Sequence, residues 1–552
     1  MDGGSMSTRN KSFLRGAAIL GLAGIFVKIL GAVYQLPFAA MMGGTGLAYY
    51  KPAYDVYTVF IVISTSGIPV AVSRMVSERI IVQNHIGAHR VFKLSFKLML
   101  TIGILSFAIM FFGADAIAKI SAVPESALSM RFIAPALILV PIMAAFRGYY
   151  QGQQNMKPTA LSQIFEQIFR VIFGLGTAYL MLHAILGTRL LKSFSATEKG
   201  AAGGAFGATV GSLAGLAVML LVYLLDRRNI FRRVAKSQHV EEESDREILK
   251  KILIISVPIT LGACIAPIMS YLDSPIVVTR LSMTGWSHAA AKNLYGQISY
   301  ATTIVNLPQA LSMALSMSLV PLISSAHRTR DLKGMRENTS LAVRVAMLIG
   351  LPCAAGMFVL AKPILLLLYS AHYEEAVNVA PTFAILAVSV VFVSLIQTVS
   401  GILQGVGRQN IPVRNMLIGI VIKVVTTFLL VGVRGLNIKG AGIGTLLTYV
   451  VVAVLDLHAT KKYTGAKFDF GLTVARPMAA TAVMAGAALF VYYVLCGGGE
   501  DNKIGCLIAV AVAAVVYTAM LFVTKSIRRD ELENFNAGRK LLRLIDKIGH
   551  RK

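Results

Sequence analysis

Stretches of about twenty or more apolar residues recur along the whole chain, each parted from the next by a short polar interval. That pattern predicts membrane-spanning helices from end to end. About fourteen are read, with approximate limits 16–40, 53–73, 94–114, 131–150, 159–183, 203–225, 252–277, 296–323, 340–361, 379–403, 411–431, 441–458, 476–496 and 505–524. The first carries Lys28 at its centre, and its apolar run is too long for a cleavable signal. The longest polar interval, Asp226 to Lys251, is too short to fold around a core of its own. The expected fold class is therefore an all-α polytopic membrane protein without a soluble domain.

Composition agrees: 56% of the 552 residues are hydrophobic and 14% charged. The net charge of +27 changes the picture only through its distribution. With the amino terminus placed in the cytoplasm, most Lys and Arg fall on that side. They include Arg74, Arg79, Arg90, the 227–251 connector, Arg328 to Arg336, Lys461 to Arg476 and the tail. This is the positive-inside bias, and it puts both termini in the cytoplasm. The basicity then reads as topology and attraction to anionic membrane lipids, and nucleic acid is not an expected partner.

Two halves of the chain echo each other. KGAAGGAFGAT from Lys199 and KGAGIGT from Lys439 each open a span, and Pro69 and Pro308 recur at nearly the same offset in the second and eighth spans. Gln151-Gly152 through Pro158 returns, after a short insertion, as Gln404-Gly405 through Pro412. Six helices separate equivalents, so the copies share one orientation, and parallel repeats of this kind put a substrate path between two bundles that rock in alternating access. The expected division is 1–235 (spans one to six), 236–465 (seven to twelve), an unmatched pair at 466–525, and a basic amphipathic tail at 526–552 that lies on the inner membrane surface. The glycines of spans one, six and twelve read as close-packing positions.

The candidate chemistry lies in charges at bilayer depth. A cation there costs about 2.5–3.5 kcal/mol on insertion scales and usually faces a wet interior. Lys28, Arg170 and Lys423 therefore predict a cationic cavity for an anionic substrate. A snorkelling side chain is the plain alternative, though Lys28 is far from either interface. Glu166 precedes Arg170 by four residues, so a helix-internal ion pair competes with a direct role for both. Asp273 is a candidate for cation coupling or a structural acid, Arg74 and Glu78 a gate or the membrane edge, and Arg344 a head-group contact. No HExxH, P-loop or GxSxG sequence occurs, so catalysis is not expected. Neither is a bound metal or organic cofactor, although a coupling Na+ or H+ stays open. The four cysteines show no metal-ligand spacing. Cys496 and Cys506 flank an outer loop where a disulfide is sterically conceivable, and two unrelated cysteines are the alternative.

The segment PIMAAFRGYYQGQQNMKPTALSQIFEQIFRVIF (141–173), the amino-terminal FLRGAAILGLAGIFVKILGAVYQLPF and the GIPVAVSRMVSE of span two resemble the polysaccharide biosynthesis and stage V sporulation protein B group of Gram-positive bacteria. That group is related to MurJ-type lipid II flippases within the multidrug/oligosaccharidyl-lipid/polysaccharide exporter superfamily. The resemblance implies two six-helix lobes in a V around a central cavity, with two further helices making a groove for a polyprenyl tail. It also implies a bacterial cell-membrane location and transport of an undecaprenyl-diphosphate-linked cell-wall precursor, foremost lipid II. Lys28, followed by Ile29, Leu30 and Gly31, stands at the family's basic position before a Leu-Gly pair, where arginine is more usual. Tyr34 or its neighbours and Thr303 stand where MurJ-type relatives carry further arginines, and Arg170 and Lys423 are read as compensating. A monomer is expected. Teichoic or capsular lipid-linked units, an ion-coupled multidrug antiporter and a non-transport assembly scaffold remain alternatives.

Overall fold

The computed structural model describes residues 8–185, 191–237, 243–496 and 502–526. Seventeen α-helices and no strand occur among the described residues: α1 Thr8–Thr65, α2 Ile68–Ile81, α3 His85–Phe112, α4 Ala114–Ile120, α5 Ser126–Ile133, α6 Ala136–Gly152, α7 Lys157–Leu182, α8 Ala196–Ala235, α9 Asp245–Met283, α10 His288–Arg328, α11 Leu332–Val359, α12 Ala361–Leu368, α13 Tyr373–Gly405, α14 Asn410–Val431, α15 Ile438–Thr464, α16 Arg476–Cys496 and α17 Lys503–Val523. A helix satisfies its own backbone groups, so an apolar chain of this kind has no other open-ended way to cross hydrocarbon. Twelve helical segments among the described residues are long and apolar enough to do so. The first, Phe26–Ile81, takes in most of the first span of the sequence reading and all of the second, and α10 holds the eighth. The protein is a multi-pass membrane protein.

Spans one and two are not parted by a loop. The helix runs on through residues 41–52 and breaks at one residue, Gly43, with φ 67° and ψ 178°. That left-handed region is open to glycine at little cost. The break frees the Gly44 N–H, which donates to Glu375 Oε2 at 2.8 Å. The same oxygen accepts from the Tyr300 hydroxyl at 2.7 Å, and Oε1 accepts from Asn293 Nδ2 at 2.7 Å. Against the break packs the His372 ring, whose Nε2 lies 3.1 Å from the Ala40 carbonyl. A buried kink thus finds partners for its loosened backbone groups in side chains distant in sequence.

Two compact units make up the chain. The first comprises Met1–Ile304, Ala371–Glu375 and Met416–Gly444. Part of its core joins Val72, Met75, Phe92, Met99, Met143, Phe146, Met219 and Ile252 from α2, α3, α6, α8 and α9. The second comprises Val305–Ser370, Ala376–Asn415 and Thr445–Lys552. A core of Leu360, Met484, Ala488, Ala509 and Ala513 knits α16 and α17 to its other helices.

The polar 226–251 connector is largely helical. α8 continues to Ala235, and α9 opens with a capping box in which Ser244 accepts from the Glu247 N–H while Glu247 accepts from the Ser244 N–H. Charges tie this entry to α2 and α3. Glu243 pairs with Lys251 at 2.6 Å and with Arg79, and Arg90 donates to Asp245 at 2.6 Å. The Lys251 hydrogen bond, aided by Arg79, holds the Glu243 carboxyl below its ordinary range. A carboxyl depressed in the folded chain adds stability above its unfolded pKa and loses it as pH falls through the folded value. Protease nicking of the connector is therefore expected to rise in acid for the wild type. A Glu243→Gln chain should be nicked readily at neutral pH with little further response; equal pH responses would remove this contact from the account. The expected basic tail, 526–552, lies beyond Ser526 outside the described residues, as does the side chain of Cys496.

Candidate functional site

Small residues make the site possible. On α8, a Cβ at Gly207 would lie 2.4 Å from Gly174 Cα, one at Gly211 2.5 Å from the Glu166 carbonyl, and one at Gly204 2.3 Å from the Phe38 ring. The span-six glycines do serve close packing, letting α8 lie against α7 and the aromatic face of α1. Tyr34 is then buried, with its hydroxyl donating to the Gly204 carbonyl at 3.0 Å. From it a file of rings runs through the kinked helix. Tyr34 and Phe38 stack at 5.3 Å, Phe38 and Tyr50 meet edge-on at 4.8 Å, and Tyr50 and Tyr54 stack at 5.6 Å.

Arg170 of α7 lies on this file. Its guanidinium sits 4.9 Å from the Tyr54 ring centre and 5.6 Å from that of Tyr34, with Tyr50 and Tyr57 nearby. Ring faces stabilise a cation by about 0.5–2 kcal/mol without cancelling its charge. Among the described residues no carboxylate pairs with Arg170, and its buried Nε has no hydrogen-bond partner. The helix-internal pair open to Glu166 is not what forms. Glu166 Oε2 accepts instead from Arg147 Nη2 of α6 at 2.8 Å, and Arg147 Nε donates to Ser162 Oγ at 3.0 Å. A guanidinium arriving from a neighbouring helix meets two acceptors on α7 at once, which a residue on the same helix cannot match.

Lys28 lies on α1 in the same unit, exposed, with no ion pair or hydrogen bond among the described residues. A Cβ at Gly31 would lie 3.6 Å from Gln167 Nε2, which sets the level of α1 against α7. Lys28 precedes that level by three residues and Arg170 follows it by three, so the two cations differ by about 9 Å along the helices.

Lys423, by contrast, is paired. Its Nζ donates to Asp273 Oδ2 of α9 at 2.8 Å and contacts the Met269 carbonyl at 3.5 Å. A second pair, Lys51 with Asp55 at 2.8 Å, lies on α1, and Asp55 feels the charges of Asp273 and Lys423. Two cations and two acids form a neutral quartet across α1, α9 and α14, with Tyr295 beside it. The structure thus joins two residues, Lys423 and Asp273, that the sequence reading set in separate roles. Arg74 and Glu78 pair with each other at 2.9 Å on an exposed face of α2. Arg344 is 5% exposed, buried in the second unit rather than set out at head groups.

Sequence reading passed over Arg147, Lys51, Asp55 and Glu375. The four-residue spacing of Lys51 and Asp55 was the one local signal available; the other partners come from distant helices. Among the described residues no group of three or more His, Cys, Asp or Glu is placed to hold a metal.

The model of the polysaccharide biosynthesis protein family matches residues 13–327, and that of the MatE family matches 258–429. The chain is 26% identical over 524 residues to "Lipid II flippase MurJ" of Bacillus subtilis (strain 168), covering 92% of this chain and 94% of that protein. It is 25% identical over 542 residues to "Stage V sporulation protein B" of the same organism, covering 97% and 99%. It is also 28% identical over 547 residues, with 98% of each covered, to that organism's "Uncharacterized membrane protein YabM". Among solved structures, an inward-facing multidrug resistance MATE family transporter of the MOP superfamily superposes with a TM-score of 0.63 at 15% identity, over 81% of this chain and 98% of that one. That likeness shows the fold. The chain belongs to the polysaccharide biosynthesis protein family, within the multidrug/oligosaccharidyl-lipid/polysaccharide exporter superfamily.

Proposed function

We propose that the protein is a flippase that carries an undecaprenyl-diphosphate-linked cell-wall precursor, foremost lipid II, from the inner to the outer leaflet of a bacterial cell membrane by alternating access. The observation that carries this reading is Arg170, a cation held on tyrosine faces with no acid to neutralise it, with the unpaired Lys28 one helix away. A diphosphate and its sugar-peptide head cannot cross hydrocarbon unaided. Fixed cations in a wet interior replace its counter-ions, while the polyprenyl tail stays in lipid. Lys28 and Arg170 make the first contacts in this scheme, and Lys423 reaches the head group only by leaving Asp273. The match to a lipid II flippase over nearly its whole length supports the substrate class. Both termini are cytoplasmic in this reading, the two six-helix repeats are the moving parts, and Arg74 and Glu78 mark the inner membrane edge.

An ion-coupled multidrug antiporter is the second reading, favoured by the MATE-like fold. It would bind cations, and an unneutralised arginine argues against it. Leaflet translocation in proteoliposomes separates the readings. Movement of labelled lipid II is the expected result. Movement only of a lipid-linked teichoic unit keeps the mechanism and changes the pathway, and movement of an organic cation with neither lipid overturns it. In the same assay Lys28→Ala should insert normally and lose translocation while Lys28→Arg retains it; full activity of the alanine chain would remove Lys28 from the grip.

A further inference from the structure

α6 stops where α8 runs on. Past Gly152, whose close seat on Ser73 and Val76 of α2 leaves no room for a Cβ, the chain turns away at Gln154 with φ 60°. α8 continues to Ala235. The step between them is an open recess of about 470 Å³ in the first unit, walled by Tyr150 and Gln153 on one side and by Leu225, Asp226, Asn229 and Arg233 of α8 on the other.

Its acceptors have partners and its donors do not. The Tyr149 and Tyr150 carbonyls that end α6 accept from the Gln153 and Asn155 N–H groups. Asp226 accepts from Asn229 Nδ2 on Oδ1 and from Arg233 Nη2 on Oδ2, each at 3.1 Å. Gln153 Oε1 accepts from Arg233 Nη1 at 3.2 Å, which leaves the Nε2 of that amide to donate elsewhere. Nε2 is buried and without a partner among the described residues. So is the hydroxyl of Tyr150, a residue 1% exposed on which the charges of Asp226 and Arg233 bear. Buried donors left without an acceptor are costly and rare. Arg233 commits three of its five N–H groups, to the Asn229 carbonyl, Gln153 and Asp226, and keeps two.

Donors on three residues lining one recess call for an occupant rich in acceptor oxygens. Charge narrows the choice. From Asp226 to Ala235, α8 carries one acid and four arginines, and the acid is already held by Arg233 and Asn229. An anion is favoured, and a phosphate with its several oxygens matches the donors. The surroundings decide how it is presented. Leu221, Leu224 and Leu225 are exposed just before the arginines, so hydrocarbon gives way to water at the recess. A phosphate held there lies at the depth of lipid head groups, with apolar surface beside it for acyl chains.

We infer that this recess binds the phosphate of an anionic membrane lipid, at the membrane face where α8 and α9 are joined and apart from the cationic grip. Gly211 packs on Arg170, and Asp226 follows Gly211 by fifteen residues, about 22 Å along α8. Bound there, the phosphate ties the end of α6 to α8. The site stands whatever cargo crosses.

Equilibrium binding of labelled phosphatidylglycerol to the purified full-length chain in neutral detergent tests it, with diacylglycerol of the same acyl chains and inorganic phosphate alongside. Phosphatidylglycerol should bind about tenfold or more tightly than diacylglycerol, and millimolar inorganic phosphate should not displace it. Tyr150→Phe removes only the hydroxyl, and Gln153→Glu replaces a donor with a charged acceptor; each should weaken binding by about tenfold. The Tyr150 hydroxyl has no partner in the fold, so the lipid-free Tyr150→Phe chain should unfold at the wild-type temperature. Arg228→Gln, at an exposed cation outside the recess, and Arg170→Gln should each change binding by about twofold or less. Equal losses in Arg228→Gln and Tyr150→Phe would reduce the effect to a general basic surface, and full affinity in both recess variants would leave the recess to water. Either result overturns the proposal. So does displacement by inorganic phosphate, which would assign the recess to a soluble phosphate compound.

Discussion

An Arg170→Gln chain is expected to reach the membrane folded and to translocate lipid-linked diphosphate about tenfold to a hundredfold more slowly, the equivalent of one hydrogen bond to a charged group, about 1.5–3 kcal/mol. Arg170→Lys should rescue little of it. The guanidinium is a flat, weakly hydrated cation that lies on the Tyr54 and Tyr34 rings, whereas an ammonium is compact and strongly hydrated and would not hold the same pose. The tyrosines extend the argument. Tyr54→Leu keeps the bulk and removes the ring face, so it should weaken translocation in the same direction while leaving Arg170 in place. Wild-type rates in Arg170→Gln would show that the cation is only a packing element of α7.

The second large effect concerns stability. Lys423 is 5% exposed and Asp273 is its carboxylate partner at 2.8 Å. Asp273→Asn leaves a buried ammonium without its counter-charge, and breaking a buried pair in this way costs about 3–5 kcal/mol. Asp55 already has Lys51, so the quartet offers some compensation and the lower part of that range applies. Thermal unfolding in detergent should show a clear drop for Asp273→Asn and for Lys423→Met separately. The Asp273→Leu, Lys423→Met double variant should recover most of it, since two apolar side chains need no partner. Single variants as stable as the wild type would mean that water reaches the pair, and the quartet would then belong to the transport path.

The span pattern was legible because hydrocarbon imposes it: an apolar run long enough to cross has to be helical, and the predicted spans are mostly helix, although those at 53–73 and 131–150 are each divided between two helices. The placement of Lys28, Arg170 and Lys423 within long apolar helices was legible for the same reason. What the sequence did not show is which charges meet. Glu166 sits four residues before Arg170, yet Arg147 of α6 takes it, and Lys423 finds Asp273 from a helix 150 residues away. Local spacing ranks partners only on one helix, and in a bundle the neighbouring helices compete. The continuous helix through residues 41–52 was hidden by Lys51, Pro52 and a glycine cluster that resemble a loop. Gly43 absorbs the break in one residue, and Glu375 supplies the missing partner.

In the proposed grip two unneutralised cations hold a lipid-linked diphosphate. Its most direct test is the affinity of the purified chain for undecaprenyl diphosphate against undecaprenol, measured for the wild type, Lys28→Ala and Arg170→Gln. The expected result is a strong preference for the diphosphate that each variant loses by about tenfold or more, with undecaprenol bound equally by all three. Equal affinity for the two lipids, or a preference that survives both substitutions, would contradict it.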